Sequence, residues 1–209
     1  MSRTIDYYFS PQSPWTYLGH ARFAAIASAA GATVRVRPVD FGSVFPVSGG
    51  LPLGKRAPQR QAYRLVDLAR SAAHIGLPLN LKPKFFPVSG DDAARLIIAA
   101  DLNEGVEPAL QLCGAILTAV WAEERNIGDP KVLDALVAEC GLAARLGEQA
   151  HSQAVQERYE SYTRDAITAG IFGAPSYVLD GEIFWGQDRL DFLERAFETT
   201  ASAATKAGA

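Results

Sequence analysis

The sequence has 209 residues, of which 48% are hydrophobic and 21% are charged, a balance typical of a globular chain rather than a disordered one. Its net charge of −3 gives no electrostatic reason to expect a nucleic acid or an anionic membrane as partner. Met1 to Phe9 contain charges and lack a long apolar core, so no signal peptide is predicted. Without a run of about 18 apolar residues, no membrane span is predicted either, and we expect a cytoplasmic enzyme.

The first elements are predicted as strand, helix and strand. T-I-D-Y-Y-F (4–9) is β-rich and ends at the turn signal S-P-Q-S-P. Apolar residues then recur at helical spacing over 14–30, with Ser13 at the N-cap and Pro14 at the first helical position. An alternating strand, T-V-R-V-R-P-V, follows Gly31 and Ala32. This order implies a parallel pair of strands with a right-handed crossover.

A loop rich in glycine and proline is predicted over 46–53, and the pattern then becomes helical to about residue 169. Ala-rich apolar stripes mark six candidate helices, at 59–75, 91–103, 108–124, 129–139, 141–146 and 152–169. After Gly170 the character returns to strands at 176–179 and 182–185, joined by the hairpin signal Asp180-Gly181, and a helix at 187–197.

The complete order, β-α-β, helical insertion, β-β-α, predicts an α/β thioredoxin-like fold with a large all-helical insertion. We expect residues 1–45 and 170–209 to form the thioredoxin-like domain and residues 46–169 the helical insertion domain. The two cysteines, Cys113 and Cys140, form no C-x-x-C motif, so neither a redox dithiol nor a zinc site is predicted. We expect both to be buried as small apolar side chains.

Ser13 is the first candidate for chemistry, because it follows a strand and opens a helix. The simplest interpretation is an N-cap. A nucleophilic serine needs a base, and of the three histidines (His20, His74 and His151) the nearest in sequence, His20, lies about two helical turns away. The alternative needs no base: a hydroxyl at a helix N-terminus stabilises the thiolate of a bound small thiol and lowers its pKa.

Two later segments are also candidates. In G-I-F-G-A-P-S-Y-V (170–178), Pro175 is most simply a trans proline at the head of a strand. A cis bond there would leave the Ala174 N–H and C=O free to pair with an extended peptide. In F-W-G-Q-D-R (184–189), Gln187 and Asp188 occupy N-cap and first-turn positions, where they could equally hold an amino-acid head group.

Four motifs in register carry a family resemblance: S-P-W-T-Y-L-G, W-A-E-E-R-N-I-G-D-P, F-G-A-P-S-Y-V-L-D-G and F-W-G-Q-D-R-L. They resemble the 2-hydroxychromene-2-carboxylate isomerase family, which is related to kappa-class glutathione transferases and DsbA-type disulfide oxidoreductases. The likeness runs from about residue 4 to residue 198. It implies a cis-trans isomerase of aromatic-compound catabolism that converts a chromene carboxylate to a trans-hydroxybenzylidenepyruvate-type product. Glutathione is then a cofactor: its thiolate adds, the ring opens, a bond rotates, and the thiol leaves unchanged.

The resemblance also implies roles for individual residues on the glutathione side. Ser13 matches the serine that holds the glutathione sulfur, and is the expected catalytic residue. Ala174 matches the residue before a cis-proline, Pro175, whose backbone pairs with the cysteinyl unit. The stretch that binds the γ-glutamyl end is matched by Trp185, Gly186, Gln187 and Asp188.

On the side of the aromatic substrate, the likeness is weaker. Phe45 and Phe85 fall near positions where relatives carry Lys and Tyr, and the loop V-S-G-G-L-P-L-G-K-R lacks the asparagine of many relatives. Either Lys55 or Arg60 is expected to supply a positive charge, with Arg35 and Arg37 as alternatives.

Other functions stay open at this point. A kappa-like transferase would consume glutathione by conjugation, and a non-catalytic module would bind only glutathione or a peptide. A disulfide oxidoreductase is disfavoured, because Ser13 and Thr16 occupy both positions of the C-x-x-C motif. The apolar helical insertion would permit a homodimer.

Overall fold

The computed structural model describes residues 3–207, with side chains described for residues 3–198. The opening β-α-β unit consists of β1 (Thr4–Phe9), α1 (Pro14–Ala29) and β2 (Thr33–Pro38). The helices that follow are α2 (Phe41–Ser48), α3 (Pro58–Ile75), α4 (Asp91–Glu104), α5 (Val106–Trp121), α6 (Pro130–Glu139), α7 (Leu146–Gln149) and α8 (Gln153–Thr168). The chain then returns to β3 (Ser176–Leu179), β4 (Glu182–Trp185) and α9 (Leu190–Ala207).

The described strands form one mixed sheet in the order β2-β1-β3-β4. β1 pairs with β2 in parallel, with Tyr7 opposite Val36, and with β3 in antiparallel fashion, with Tyr8 opposite Ser176. The crossover through α1 accounts for the parallel pair, and the Asp180-Gly181 turn for the antiparallel hairpin of β3 and β4. This sheet, with its helices inserted between β2 and β3, confirms the predicted thioredoxin-like fold.

A continuous apolar core joins the sheet to the inserted helices. Tyr7 and Tyr177 stack at 5.4 Å between ring centroids on neighbouring strands, and Phe23 of α1 packs on Tyr177 at 4.7 Å. The same core includes the fully buried Trp121 at the end of α5. The division into domains at residues 45/46 and 169/170 stays a prediction; α2 runs across the first of these positions.

Two predicted segments are wrong in detail. The predicted loop 46–53 begins inside α2, which tolerates Pro46 because the Asp40 side chain accepts from the Gly42 N–H at 2.7 Å and Phe41 is buried. The predicted helix 141–146 does not form. Gly141 instead ends α6 with a positive φ of 70°, and the next helix is α7.

Smaller differences concern helix ends and the cysteines. The predicted helix 108–124 is α5, which lies two to three residues earlier, and the predicted helix 187–197 opens with a 3₁₀ turn, Gln187–Arg189. Cys113 is fully buried as expected, whereas Cys140 is only partly buried, and both are free thiols. Within the described part of the chain, the helices are too short or too polar to cross a membrane.

Candidate active site

The sheet brings the loop before α1 and the loop before β3 to the same edge. β1 ends at Phe9 and β3 begins at Ser176, which lies opposite Tyr8 in the antiparallel pair. The loop that follows β1 leads directly to Ser13. Its backbone is extended, with φ −79° and ψ 125°, and its hydroxyl oxygen accepts from the Thr16 N–H at 3.2 Å. Ser13 is therefore the N-cap of α1, as predicted, and its own hydroxyl hydrogen stays available to a ligand.

The bond between Ala174 and Pro175 is cis. The Pro175 carbonyl accepts from the Gly186 N–H at 2.9 Å, which joins this loop to the end of β4. Within the described residues, neither the N–H nor the C=O of Ala174 has a hydrogen-bond partner. A short extended backbone can therefore pair with Ala174 in the manner of an added strand.

The segment after β4 reaches the loop of Ala174 and Pro175 by a turn at Gly186. Gly186 has a φ of 104°, and a β-carbon there would lie 2.5 Å from Asp188 Oδ1. This turn favours glycine, because an L side chain would be strained at this φ and the Asp188 carboxylate would have to shift. The Asp188 carboxylate is more than half exposed and lies 3.1 Å from the Arg189 guanidinium.

A cavity of about 540 Å³ lies between this edge of the sheet and α3. Its lining comes from the start of α1, from α3 and Arg56 two residues before it, and from residues 174 and 185–189. The residues that line it are Trp15, Arg56, Gln59, Arg60, Tyr63, Arg64, Asp67, Ser71, Ala174, Trp185, Gly186, Gln187, Asp188 and Arg189. Ser13 and Pro175 are not among them; each lies within two residues of one that is, Trp15 and Ala174.

The predicted residues of the substrate side are placed unevenly. Arg60 lines the cavity, but Phe45, Lys55 and Phe85 do not. Phe45 packs on Phe41 at 5.6 Å between ring centroids, in a small apolar cluster that also includes Ala174. Lys55 is exposed in a 3₁₀ turn, and Phe85 is partly exposed beneath the Lys84 ammonium. Their roles stay predictions.

The alternative cations on β2 lie elsewhere. Arg37 donates to Asp6 at 2.7 Å and to Asp165 at 2.8 Å, and Arg35 lies 3.7 Å from Asp6. Neither arginine lines the cavity. These pairs link β1, β2 and α8, so Arg37 acts as a structural residue here.

Apart from Arg60, sequence reasoning missed the polar face that runs from Arg56 along α3. Arg56, Arg60, Arg64, Asp67 and Ser71 recur every three or four residues and all line the cavity. This spacing was the available signal. Burial lowers the pKa of Arg64 to about 10, with repulsion from Arg56 as the second cause. Arg64 nevertheless keeps its positive charge at neutral pH.

None of the three histidines serves Ser13 as a base. His20 Nε2 lies 2.9 Å from the Leu110 carbonyl oxygen and its Nδ1 lies 3.2 Å from the Tyr7 hydroxyl. His74 and His151 are exposed, and within residues 3–198 neither is hydrogen-bonded to Ser13. The site thus offers a hydroxyl donor, helix N–H groups and a free strand edge, which suit a bound thiolate better than a serine nucleophile.

A four-stranded sheet with a helix N-cap facing a cis-proline loop defines a thioredoxin-like protein. The sequence pattern of the DSBA-like thioredoxin domain matches residues 4–198. The chain is 32% identical over 196 residues to 2-hydroxychromene-2-carboxylate isomerase of Sphingobium xenophagum, covering 93% of this chain and 97% of that protein. It is also 25% identical over 218 residues to glutathione S-transferase kappa 2 of Caenorhabditis elegans, covering 94% of each.

A solved structure shows the same relationship. The structure of a 2-hydroxychromene-2-carboxylate isomerase superposes with a TM-score of 0.79 at 28% identity, covering 97% of this chain and 98% of that one. The chain therefore belongs to the 2-hydroxychromene-2-carboxylate isomerase family of DsbA-like thioredoxin-domain proteins. The resemblance found in the four sequence motifs is confirmed.

Proposed function

We propose that this protein is a glutathione-dependent isomerase that converts a 2-hydroxychromene-2-carboxylate-type substrate to a trans-hydroxybenzylidenepyruvate-type product. The observation that carries the proposal is that Ser13, at the N-cap of α1, lies at the same end of the sheet as Ala174, whose backbone is unpaired and precedes a cis-proline. The family relationship supports an isomerase. A cytoplasmic location is part of the proposal, because glutathione is kept reduced there.

The residues of the site fit glutathione. The free N–H and C=O of Ala174 match the backbone of a short peptide, and the acidic side chain of Asp188 matches its ammonium group. When bound, glutathione would supply a thiolate that adds reversibly to an electrophilic carbon of the substrate. The Ser13 hydroxyl then donates a hydrogen bond to that sulfur, and the free N–H groups of α1 add positive potential.

The remainder of the cavity suits a flat anionic substrate. Trp15, Tyr63 and Trp185 provide aromatic walls, and the arginines of α3 provide positive charge. These side chains would orient the chromene ring and its carboxylate next to the sulfur position. Holding two reactants in one site contributes to the rate without any further catalytic group.

The test is turnover of a chromene carboxylate with and without glutathione, followed by ultraviolet absorbance and by a thiol assay. We expect isomerisation that requires glutathione and leaves its concentration unchanged. Consumption of thiol would favour a kappa-like transferase, which is the second candidate. The similarity to the kappa-class transferase of Caenorhabditis elegans supports that candidate. Binding of glutathione without any turnover would favour a non-catalytic thioredoxin-like module. The homodimer stays a prediction, which sedimentation velocity would test.

A further inference from the structure

Arg64 occupies an unusual position in the middle of α3. Its guanidinium carbon lies 5.5 Å from the centroid of the Phe86 ring and 5.8 Å from that of Trp121. Phe86 lies in the loop between α3 and α4, and Trp121 is the last residue of α5. The two rings pack with their centroids 4.8 Å apart. The aromatic pair forms a platform that fixes the guanidinium at the cavity wall.

In the part of the chain whose side chains are described, no acidic group neutralises the Arg64 cation. Among residues 3–198, no carboxylate oxygen lies within 4.0 Å of the Arg64 nitrogens, and none of its N–H groups has a hydrogen-bond partner. Arg37 and Arg125, by contrast, each have two carboxylate partners. An arginine that is half buried has lost part of its hydration, and the aromatic rings beside Arg64 replace only part of that loss, so an anionic ligand would bind there favourably.

The shape and lining of the site indicate which anion. A guanidinium presents two parallel N–H donors that match a carboxylate. The platform beneath Arg64 and the nearby Trp15 and Tyr63 are aromatic, which favours a flat ring attached to that carboxylate. The other end of the cavity, at Ala174 and Asp188, carries the features that suit glutathione.

We propose that Arg64 binds the carboxylate of the aromatic substrate and so determines the enzyme's specificity for aromatic acids. This inference rests on the proposed function and assigns to Arg64 the charge that the sequence had placed on Lys55 or Arg60. Arg60 is exposed on the same helix, and Arg56 already donates its Nε hydrogen to the Leu51 carbonyl at 2.8 Å. Arg64 is thus the arginine of this face with a fixed position and free donors.

The test is calorimetric binding of trans-2-hydroxycinnamate and of its neutral amide to the full chain, in saturating glutathione. Neither compound has to react, so the result does not depend on turnover. We expect the wild type to prefer the acid, and Arg64→Met to lose about 10- to 100-fold in affinity for the acid alone, the range of a charge-assisted hydrogen bond. Arg64→Gln should behave alike if Arg64→Met does not fold. Arg70→Met is the matched control, since Arg70 is exposed on α3 and does not line the cavity.

Several results would overturn the proposal. A wild type that binds the acid no better than the amide would do so, as would equal losses for both compounds, which would indicate a packing role. If glutathione titrated alone loses affinity in Arg64→Met while the acid does not, Arg64 would be reassigned to the peptide's own carboxylate. If the chain discriminates acid from amide through Arg64 but isomerises nothing, the carboxylate site stands and the isomerase function fails.

Discussion

Gly19 and Gln187 are in such close contact that a β-carbon on Gly19 would lie 3.0 Å from the β-carbon of Gln187. Gly19 lies in the first turns of α1, six residues after Ser13, and Gln187 opens the turn that carries Asp188. The same β-carbon would lie 2.9 Å from the Tyr177 hydroxyl. Glycine at this position therefore lets the helix of Ser13 pack against the segment predicted to hold the glutamyl end of glutathione.

Gly19→Ala should destabilise the protein and weaken glutathione binding. Alanine gains about 1 kcal/mol of helix propensity, but overpacking costs about 1–3 kcal/mol, and the buried Tyr177 ring, stacked on Phe23 and Tyr7, has no room to move. We expect a net loss of about 1 kcal/mol in the free energy of unfolding, measured by urea denaturation, and a raised glutathione Kd. Gly54→Ala, where a β-carbon would meet nothing within 4 Å, is the control. An unchanged Kd would show that Gln187 keeps its place.

Asp188→Ala should weaken glutathione binding by about 1.5–3 kcal/mol, the scale of a charge-assisted hydrogen bond. The carboxylate is exposed at the cavity wall and its present partner, Arg189, is equally exposed, so an incoming ammonium can compete for it. Titration calorimetry measures the effect. Glu182→Ala removes an exposed acid from β4, away from the cavity, and serves as control. Equal affinities for the wild type and Asp188→Ala would remove Asp188 from the site.

Neutral His20 links β1 to α5 through hydrogen bonds to Tyr7 and Leu110. A carbonyl oxygen only accepts, so Nε2 carries the hydrogen toward Leu110, and neutral Nδ1 accepts from the Tyr7 hydroxyl. Burial lowers the pKa of His20, although the bond to Leu110 acts in the opposite direction. The folded protein therefore binds this proton less readily than the unfolded chain, whose histidine has a pKa of about 6.5.

The stability contributed by neutral His20 should be present above about pH 6.5 and decrease as the pH falls below it, by up to about 1.4 kcal/mol per pH unit. Urea denaturation between pH 7.5 and 4.5 would measure this, in the wild type and in His20→Gln. The variant should show a shallower decline, because the glutamine amide also offers a donor and an acceptor but does not titrate. His151→Gln changes an exposed histidine and is the control. Parallel profiles for the wild type and His20→Gln would contradict the assignment.

Most of the fold could be predicted because local signals agreed with it. Ser13 and Pro14 mark the start of α1, Asp180-Gly181 marks the hairpin, and apolar spacing marks the long helices. The errors arose where tertiary contacts overrode those signals. Pro46 led to the prediction of a loop, yet burial of Val44 in the apolar cluster with Tyr8 and Phe41 stabilises α2.

The candidate site was only half predictable for a related reason. The residues proposed for glutathione lie in short motifs, so each could be named from its neighbours in sequence. The cation that we propose for the substrate side, Arg64, depends on which face of α3 meets the cavity and on the Phe86–Trp121 pair, which comes from two distant segments. Lys55 follows Gly54 outside the predicted helices and Arg64 lies inside the predicted helix 59–75, but this difference does not show which of the two is half buried at the cavity wall.

Two mechanisms give Ser13 different roles: it either stabilises the thiolate of bound glutathione or is itself the nucleophile. The Ser13 oxygen already accepts from the Thr16 N–H, so its hydrogen is the group left to donate to sulfur. Such a hydrogen bond favours the thiolate and lowers the pKa of bound glutathione. Ser13→Ala should therefore raise that pKa, and should cost about 0.5–2 kcal/mol of stability through the lost N-cap.

Because the thiolate fraction recovers as the pH approaches the raised pKa, the loss of turnover in Ser13→Ala should shrink at high pH. Thiolate absorbance of the glutathione complex against pH would measure the pKa directly, in the wild type and in the variant. Ser13→Thr keeps a hydroxyl that can cap the helix and should resemble the wild type, whereas Ser13→Cys could trap glutathione as a mixed disulfide. Coincident titrations with lost activity would disprove the thiolate-stabilising role. Full activity in the absence of any thiol would instead indicate that Ser13 is the nucleophile. The proposed function of a glutathione-dependent isomerase would then have to be abandoned.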